Sequence, residues 1–298
     1  MILVVGATGR LGRKATELLV DRGHVVRAAC RSPAKAHELR ASGFEPIAID
    51  LRIPSSFPNA LSGVEQVVVA VQALTARRSD SIAEVDCEGH RQLIDAARSA
   101  GVKRFIYVSA QGASSDHPAA FSRAKAAIEG HLAASGMEFA ILRPSAFMDL
   151  YAHELIGKSV IAGKRVVLLG DGRTVRNLVA IDDVAMAIAA AVEGRLSMTT
   201  VEVVGASNVD DRQIAALYGR LANRPVRVTS LSSRVVNGIA RAIGPFHAGV
   251  RNLMMFGAQN AEHGNLTADA SHMPSILGRE PQGIEDFVTQ QVARAPAN

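Results

Sequence analysis

Seven consecutive residues near the start of the chain have the types and spacing of a phosphate-binding turn. They follow the apolar run Ile2–Val5, lead into a helical pattern, and are Gly6, Ala7, Thr8, Gly9, Arg10, Leu11 and Gly12. Such a turn lets backbone N–H groups approach a diphosphate, which the positive end of the helix dipole also attracts. The spacing G-x-x-G-x-x-G is one residue longer than the common fingerprint. Its place between a strand and a helix favours dinucleotide binding over a purely structural turn.

The residues after the second predicted strand distinguish between the two nicotinamide dinucleotides. NAD-binding proteins usually have an acidic residue there, which accepts hydrogen bonds from the adenosine ribose. This chain has Cys30 and then Arg31, and a guanidinium attracts the 2′-phosphate that a carboxylate would repel. We therefore predict NADP(H) rather than NAD(H); the alternative is that Arg31 is a solvated loop residue. Asp50, after the third predicted strand, is expected to contact the adenine amino group or to cap the next turn.

These residues are positioned by an alternation of strands and helices. Short runs rich in Val and Ile have the composition of strands that are buried on both faces. The strands of the first half are predicted at Ile2–Val5, Val25–Ala29, Pro46–Ile49, Gln66–Val71, Phe105–Ser109 and Phe139–Leu142. Apolar residues at helical spacing lie between them, as in Leu11–Val20. This alternation predicts right-handed crossovers and an α/β fold with a doubly wound parallel sheet.

The pattern changes after about Arg143. Further strands are predicted at Arg165–Leu169, Val201–Val204 and Val226–Val228, and helices at Val184–Ala191 and Asp210–Leu221. Asp182 and Asp183 are interpreted as an N-cap of the first of these helices rather than as a catalytic pair. The segment Val235–Phe256 is apolar and broken by glycine. Packing is its favoured role, and a pocket lid and a membrane-surface helix are the alternatives.

Composition excludes several classes of protein. With 48% hydrophobic and 20% charged residues, the 298-residue chain is typical of folded proteins. The net charge of +5 is spread over scattered basic residues with only 4% aromatic residues, so no nucleic-acid partner is expected. Two unpaired cysteines and nine scattered histidines predict neither a disulfide framework nor a metal site. Because no signal peptide or long apolar run is recognised, we expect a cytoplasmic protein without stable membrane insertion.

Several strings of the sequence carry a resemblance to a known family. They are VVGATGRLG from Val4, GVKRFIYVSAQGA from Gly101, SGMEFAILRPSAFM from Ser135, NLVAIDDVA from Asn177 and LGREPQGIEDFV from Leu277. Over nearly its full length the chain resembles the NmrA-like atypical short-chain dehydrogenases/reductases, which belong to the NAD(P)-binding Rossmann superfamily. The resemblance implies a Rossmann domain over residues 1–145, to which parts of 172–192 and 199–205 return. It also implies a smaller C-terminal α/β lobe over 146–298, with a substrate cleft between the two.

The resemblance suggests catalytic residues and shows one departure from the pattern. In the wider superfamily a Ser, a Tyr and a Lys four residues after the Tyr carry the chemistry. The Tyr phenol donates or takes the proton while hydride passes to or from nicotinamide, and the Lys holds the ribose and lowers the phenol pKa. Ser109 and Lys125 match the Ser and the Lys, but Phe121 occupies the place of the Tyr. Phenylalanine has no proton to transfer, and general acid–base help is typically worth ~10²–10⁴-fold. Lys125 is expected to hold the cofactor ribose or to act as a proton donor itself.

Further site residues complete the prediction. Besides the turn and Arg31, the predicted cofactor contacts are Asp50, Leu51, Val71, Gln72, Ser109, Lys125 and Pro144. The segment after Pro144 lies beside the nicotinamide and the substrate in the family, so the predicted substrate contacts are Phe147, Met148 and Tyr151. Tyr151 and His153 are alternative sources of the missing proton. Tyr107 is another, although a buried structural role is favoured for it, and His117 is expected at the surface.

Two hypotheses for the function follow. The first is an NADPH-dependent reductase of a small apolar electrophile, quinone- or enone-like, that works without the usual Tyr acid. The second is a non-catalytic NADP(H)-binding protein, either a redox sensor or an assembly factor for a larger complex. A sugar-nucleotide epimerase fits less well, because such enzymes depend on the Tyr. Association into a homodimer or with a protein partner is compatible with both hypotheses.

Overall fold

The strands of the first half lie within two residues of the short β-branched runs that predict them, whereas Ala146–Phe147, Arg176–Val179 and Ser207–Val209 are strands that were not predicted. The computed structural model describes residues 1–74, 81–243 and 248–295. The strands within these ranges are β1 (Ile2–Val5), β2 (Val26–Cys30), β3 (Glu45–Ala48), β4 (Gln66–Val69), β5 (Arg104–Val108), β6 (Glu138–Pro144), β7 (Ala146–Phe147), β8 (Val166–Leu169), β9 (Arg176–Val179), β10 (Thr199–Val203), β11 (Ser207–Val209) and β12 (Val228–Leu231).

Helices lie between these strands along most of the chain, and the last ones follow β12. They are α1 (Arg10–Asp21), α2 (Pro33–Ala41), α3 (Phe57–Leu61), α4 (His90–Ser99), α5 (Ala120–Ala133), α6 (Lys158–Ile161), α7 (Ile181–Val192), α8 (Asp211–Leu221), α9 (Ser233–Ile243), α10 (Ala248–His263), α11 (Met273–Leu277) and α12 (Ile284–Arg294). Two segments, Ile82–Gly89 and Asp149–Gly157, have the wider i→i+5 winding of a π-helix, and Pro54–Ser56 is a 3₁₀ turn.

The largest sheet has the strand order β10-β6-β5-β4-β1-β2-β3. The pairings from β3 through β6 are all parallel, so the carboxyl ends of these strands meet at one edge of the sheet. The chain order reverses between β1 and β4, and ligands of open α/β sheets bind at such a switch point. This arrangement confirms the predicted doubly wound parallel sheet.

The chain forms two compact units. The first comprises Met1–Arg143 and Val184–Glu202, and the second comprises Pro144–Asp183 and Val203–Asn298. In the first unit, strand residues such as Leu3, Val69 and Phe105 form a core with apolar residues of the flanking helices.

The second unit has smaller sheets, with strand orders β11-β9-β7 and β12-β8. Its core includes Met148, Leu178 and Tyr218.

The interpretation of Asp182 and Asp183 as a helix cap is wrong. Helix α7 begins at Ile181, which places both residues within its first turn. The Asp183 carboxylate is fully buried and accepts hydrogen bonds from the Arg279 guanidinium and from the Gln282 backbone N–H. The buried charge of Asp183 is therefore stabilised by residues distant along the chain and not by the amino end of its own helix.

Two other predictions for the second half need adjustment. The strand predicted at Val226–Val228 lies at Val228–Leu231. The segment Val235–Phe256 falls on two helices, α9 and α10, and its residues 244–247 lie outside the described residues. The π-helical segments were not predicted, because their i→i+5 winding has no distinct apolar period in the sequence.

Candidate functional site

The glycine turn between β1 and α1 has a backbone that only glycine allows. Gly6 has φ of +99°, and a Cβ added to it would lie 2.7 Å from the backbone oxygen of Ala70. A Cβ on Gly12 would lie 2.1 Å from the Gly6 oxygen, which also accepts a hydrogen bond from Gly9 N–H at 2.9 Å. The first and third glycines therefore fix the close approach of helix and strand.

The amino end of α1 suits an anion. Gly9 is the N-cap residue and provides no side-chain acceptor, and the first turn contains no acidic residue. Thr8, Gly9 and Arg10 are exposed to solvent at this end. Backbone N–H groups of a first helical turn lack intrahelical partners, and a diphosphate supplies the acceptors that they need. The twelve-residue helix thus fits the predicted nucleotide through its own backbone.

The ends of β2 and β3 bring opposite charges near each other. Arg31 is exposed just beyond β2. The Asp50 carboxylate accepts hydrogen bonds from the Arg52 N–H at 3.0 Å and from the Arg52 guanidinium at 2.6 Å. These bonds with Arg52, helped by the more distant Arg31 charge, hold the pKa of Asp50 below its usual value. Asp50 therefore does cap its turn, while its contact with adenine stays a prediction.

The loop after β4 is tied to a buried carboxylate. The Gln72 side-chain oxygen accepts a hydrogen bond from Leu74 N–H, and Asp86 Oδ2 accepts one from Ala73 N–H at 2.8 Å. Asp86 belongs to the π-helical segment that precedes α4. Val71 is half-buried, and its Cγ2 would lie 2.9 Å from a Cβ on Gly6. Leu51 is buried beside the same region, with its backbone oxygen 2.7 Å from a Cβ on Gly89.

Lys125 lies in a buried cluster with Asp86 and Tyr107. Its side chain is 1% exposed, and its Nζ lies 3.5 Å from Asp86 Oδ1 and 3.3 Å from the Val108 carbonyl oxygen, to which it donates. The Nζ also lies 4.8 Å from the centre of the Tyr107 ring. Three buried atoms around it have no hydrogen-bond partner among the described residues, namely Asp86 Oδ1, Tyr107 Oη and His90 Nε2.

Burial dominates the protonation of this cluster. It raises the pKa of Asp86 and lowers the pKa of Lys125, and the attraction between the two charges opposes both shifts. Burial, together with the Lys125 charge, also lowers the pKa of His90 to about 3. A cationic Lys125 is therefore sustained chiefly by Asp86, with smaller contributions from Glu129 and Cys87. Asp86 was not predicted as a site residue, because the π-helical segment that carries it was not predicted.

Ser109 belongs to a second polar network. Its hydroxyl donates a hydrogen bond to Glu129 Oε1, and the same carboxylate accepts two from the Arg143 guanidinium, one of them at 2.9 Å. Glu129 lies one helical turn beyond Lys125 on α5, so the two side chains share a helix face. That spacing was the signal that could have identified Glu129 from the sequence.

Phe121 stands one turn before Lys125 on the same helix. Its side chain is buried, and its ring centre lies 5.4 Å from Lys125 Nζ. The position that would carry the acidic phenol thus holds an apolar ring beside the ammonium. Tyr107, the nearest phenol to that ammonium by ring contact, is fully buried within the core of the first unit.

The predicted substrate residues lie in the second unit. Phe147 is half-buried in β7, and Met148 is fully buried in the core of this unit. Pro144, which is a predicted cofactor contact, is buried just before them at the end of β6. Tyr151 donates its hydroxyl to Asp211 Oδ1 at 2.9 Å, with the Arg176 guanidinium 4.4 Å from its ring centre. Burial raises the pKa of Tyr151. The substrate roles of these residues stay predictions.

The two histidines considered as alternatives have local partners. His153 Nδ1 lies 3.2 Å from the Tyr218 hydroxyl. His117 is buried, and its Nδ1 accepts a hydrogen bond from Ala119 N–H at 3.0 Å. The expectation of a surface histidine at position 117 is therefore wrong, because the turn before α5 folds over the ring.

The described residues form neither a metal-binding cluster nor a membrane-spanning helix. Across 1–74, 81–243 and 248–295, no cluster of three His, Cys, Asp or Glu side chains is arranged to hold a metal ion. In the same ranges no helix combines the length and apolar character needed to span a membrane.

The glycine turn, the parallel sheet and the switch point define a dinucleotide-binding Rossmann protein. Residues 6–195 match the family model described as NAD(P)H-binding. The chain belongs to this NAD(P)H-binding family, and the predicted resemblance to NmrA-like atypical reductases is confirmed.

Individual relatives have different names. The chain is 32% identical to an NAD(P)H azoreductase of Xenophilus azovorans over 235 residues, 78% of this chain and 77% of the relative. It is 26% identical to quinone oxidoreductase 2 of Escherichia coli, over 97% of this chain and 98% of the relative. It is also 26% identical to the photosystem II assembly factor Ycf39 of Guillardia theta, over 95% of this chain and 90% of the relative. The relatives thus include NAD(P)H-dependent reductases and an assembly factor.

A solved structure confirms the fold. The NADPH-dependent quinone oxidoreductase of Escherichia coli, complexed with NADPH, superposes with a TM-score of 0.80 at 24% identity. The superposition covers 98% of this chain and 99% of that one.

Proposed function

We propose that the protein is an NADPH-dependent reductase of small apolar electrophiles, with quinones as the leading class. The observation that carries the proposal is Phe121, buried at 5.4 Å from Lys125 Nζ where a proton-donating phenol would stand. Without that phenol, reduction of simple ketones loses its acid catalyst. A quinone is less affected, because the hydroquinone anion is stable enough to take its proton from water.

Different residues of the chain bind different parts of the cofactor. The backbone of the glycine turn and the amino end of α1 hold the diphosphate, and Arg31 faces the 2′-phosphate. Lys125, kept cationic by Asp86, holds the ribose at the ends of β4 and β5. The bound reduced nicotinamide would supply the hydride, so that NADPH, a quinone and one proton give NADP⁺ and a hydroquinone. The names of two relatives, an azoreductase and a quinone oxidoreductase, support acceptors of this kind.

Turnover with a panel of acceptors tests the proposal. NADPH oxidation should exceed the background with quinones and azo dyes and should stay at background with simple ketones. The variant Phe121→Tyr should gain ketone reduction, and the control Phe121→Leu, which removes the ring and adds no hydroxyl, should not. If no quinone or azo dye supports turnover, the proposal is wrong.

A second candidate is a non-catalytic NADP(H)-binding redox sensor or assembly factor. Two observations favour it: the Ser109 hydroxyl is engaged by Glu129, and a relative is named as an assembly factor. This candidate predicts NADPH binding without turnover and a protein partner that binds in only one redox state of the nucleotide. Equal partner binding with NADPH and with NADP⁺ would eliminate it.

A further inference from the structure

One stretch of the second unit carries only positive charge. Residues 212–261 contain seven of the chain's 33 basic side chains, all of them arginines, and none of its 28 acidic ones. The scattered charge of the rest of the chain has no comparable run. The stretch runs from α8 through β12 and α9 into α10.

Four of these arginines are exposed without a compensating carboxylate. Arg224, Arg227, Arg234 and Arg241 all lie at the surface. Within the part of the chain that the structure describes, none of the four forms an ion pair with an acidic residue. Their charges are therefore available to an anionic surface.

Exposed aliphatic side chains lie among the arginines. Val235 and Ile239, one turn apart on α9, are 47% and 40% exposed, and Val250 on α10 is 50% exposed. The same helix buries Val236 and Ala240, which lie next to Val235 and Ile239 around its axis. The apolar face of α9 is thus wider than the part that the core covers.

The two kinds of residue are separated around α9. At 100° per residue, Arg234 and Arg241 lie on one side of the exposed face and Val235 and Ile239 on the other. A helix with an arginine-rich polar side and an uncovered aliphatic side is the type that lies in a membrane interface, with its apolar residues among the acyl chains and its cations at the headgroups.

We infer that the exposed face of α9, which carries Arg234, Arg241, Val235 and Ile239, docks on the surface of an anionic phospholipid bilayer, and that Arg224 and Arg227 add to the positive charge of the same unit. Charge complementarity selects anionic lipid, since each basic residue near such a surface strengthens binding by a factor of about five. The exposed anchors are Val and Ile, whereas protein hot spots favour Trp and Tyr. The inference does not depend on the proposed reaction.

Co-sedimentation with vesicles tests the inference. The full chain should sediment with vesicles of equimolar phosphatidylcholine and phosphatidylglycerol, should stay in solution with phosphatidylcholine alone, and should be released by high salt. The double variant Arg234→Glu/Arg241→Glu should bind the anionic vesicles at least about tenfold more weakly. Val235→Ser/Ile239→Ser should weaken binding while leaving its salt dependence unchanged.

A matched control makes the same change of net charge elsewhere. Arg98→Glu/Arg294→Glu reverses two exposed arginines in the last turns of α4 and α12, and its binding should equal that of the wild type. Retained NADPH binding shows that each variant is folded. Equal loss in the control, equal binding to neutral vesicles, or no sedimentation would overturn the inference. Binding to polyglutamate without binding to vesicles would assign the face to an acidic protein instead.

Discussion

Each unit of the protein packs a carboxylate, a cation and a tyrosine against one another, although Tyr107 is buried and Tyr151 is half-buried. The first-unit cluster consists of Asp86, Lys125 and Tyr107, and the second-unit cluster consists of Asp211, Arg176 and Tyr151. The cation lies 3.5 Å from the carboxylate in both, and 4.8 Å and 4.4 Å from the respective ring centres. The same three chemical groups are thus assembled twice.

The hydrogen bonding of the two clusters differs. In the second-unit cluster the Tyr151 hydroxyl donates to Asp211, whereas Tyr107 Oη of the first-unit cluster has no hydrogen-bond partner among the described residues. One atom of each ion pair, Asp86 Oδ1 and Arg176 Nε, has none there either. The first-unit cation is also a lysine, whose protonation responds to burial, whereas an arginine stays charged. Buried polar atoms without partners are uncommon in native proteins and often mark a functional site. We therefore expect a functional role for the first-unit cluster, with its unpartnered phenol and its lysine, and a structural role for the second-unit cluster.

The largest effect should come from removing the first-unit cation. Lys125→Met leaves Asp86 buried without a partner charge and should lower the free energy of unfolding by about 3–5 kcal/mol. The double variant Asp86→Leu/Lys125→Met removes both charges and should recover most of that loss. Urea unfolding measures both changes.

The double variant of Asp86 and Lys125 also distinguishes a role in stability from a role in cofactor binding. If Lys125 holds the cofactor, the double variant should be stable and yet bind NADPH more weakly than the wild type. If the double variant recovered both stability and NADPH affinity, the first-unit cluster would have a structural role only, like the second-unit cluster.

Acid should destabilise the protein through His90, whose ring packs edge-on against Tyr107. Its pKa of about 3 in the folded protein lies below the value of ~6.5 in an unfolded chain. The unfolded chain therefore binds more protons between these values, and stability falls as the pH decreases. The loss attributable to His90 should reach about 3 kcal/mol by pH ~4.

Unfolding at a series of pH values checks this effect. His90→Asn keeps a donor for the Val85 carbonyl and cannot become charged, so its stability should depend less on pH. The control His153→Asn, in the second unit, should retain the acid sensitivity of the wild type. Parallel pH curves for the wild type and His90→Asn would contradict the assignment.

The smallest changes in stability are expected from substituting the two tyrosines, which allows a direct comparison of the two clusters. Tyr151→Phe removes a hydrogen bond to a charged acceptor and should cost about 1.5–3 kcal/mol. Tyr107→Phe removes a hydroxyl without a described partner and should change stability by less than about 0.5 kcal/mol. Quinone turnover of Tyr151→Phe should stay within tenfold of the wild type. A much larger fall would identify Tyr151 as the missing proton donor.

The sequence predicted features that depend on local geometry. The turn from Gly6 to Gly12 and the alternation of buried strands with helices follow from residue types that permit only one backbone or one buried pattern. Asp86 could not be found in this way, because its partners Ala73 and Lys125 are distant along the chain. Asp183 was wrongly interpreted as a helix cap for the same reason. The sequence shows the nearby helix end but not the distant Arg279, to which the carboxylate is bonded. Long-range pairing of buried charges has no short sequence pattern.

The most direct test of the account is a calorimetric titration with NADPH and with NADH. The wild type should bind NADPH at least about tenfold more tightly than NADH, since hydrogen bonds to a charged group contribute about 1.5–3 kcal/mol. Arg31→Gln should abolish this preference by weakening NADPH alone, and the control Arg40→Gln, an exposed arginine of α2, should keep it. Equal affinity of the wild type for both nucleotides, or binding of neither, would contradict the account.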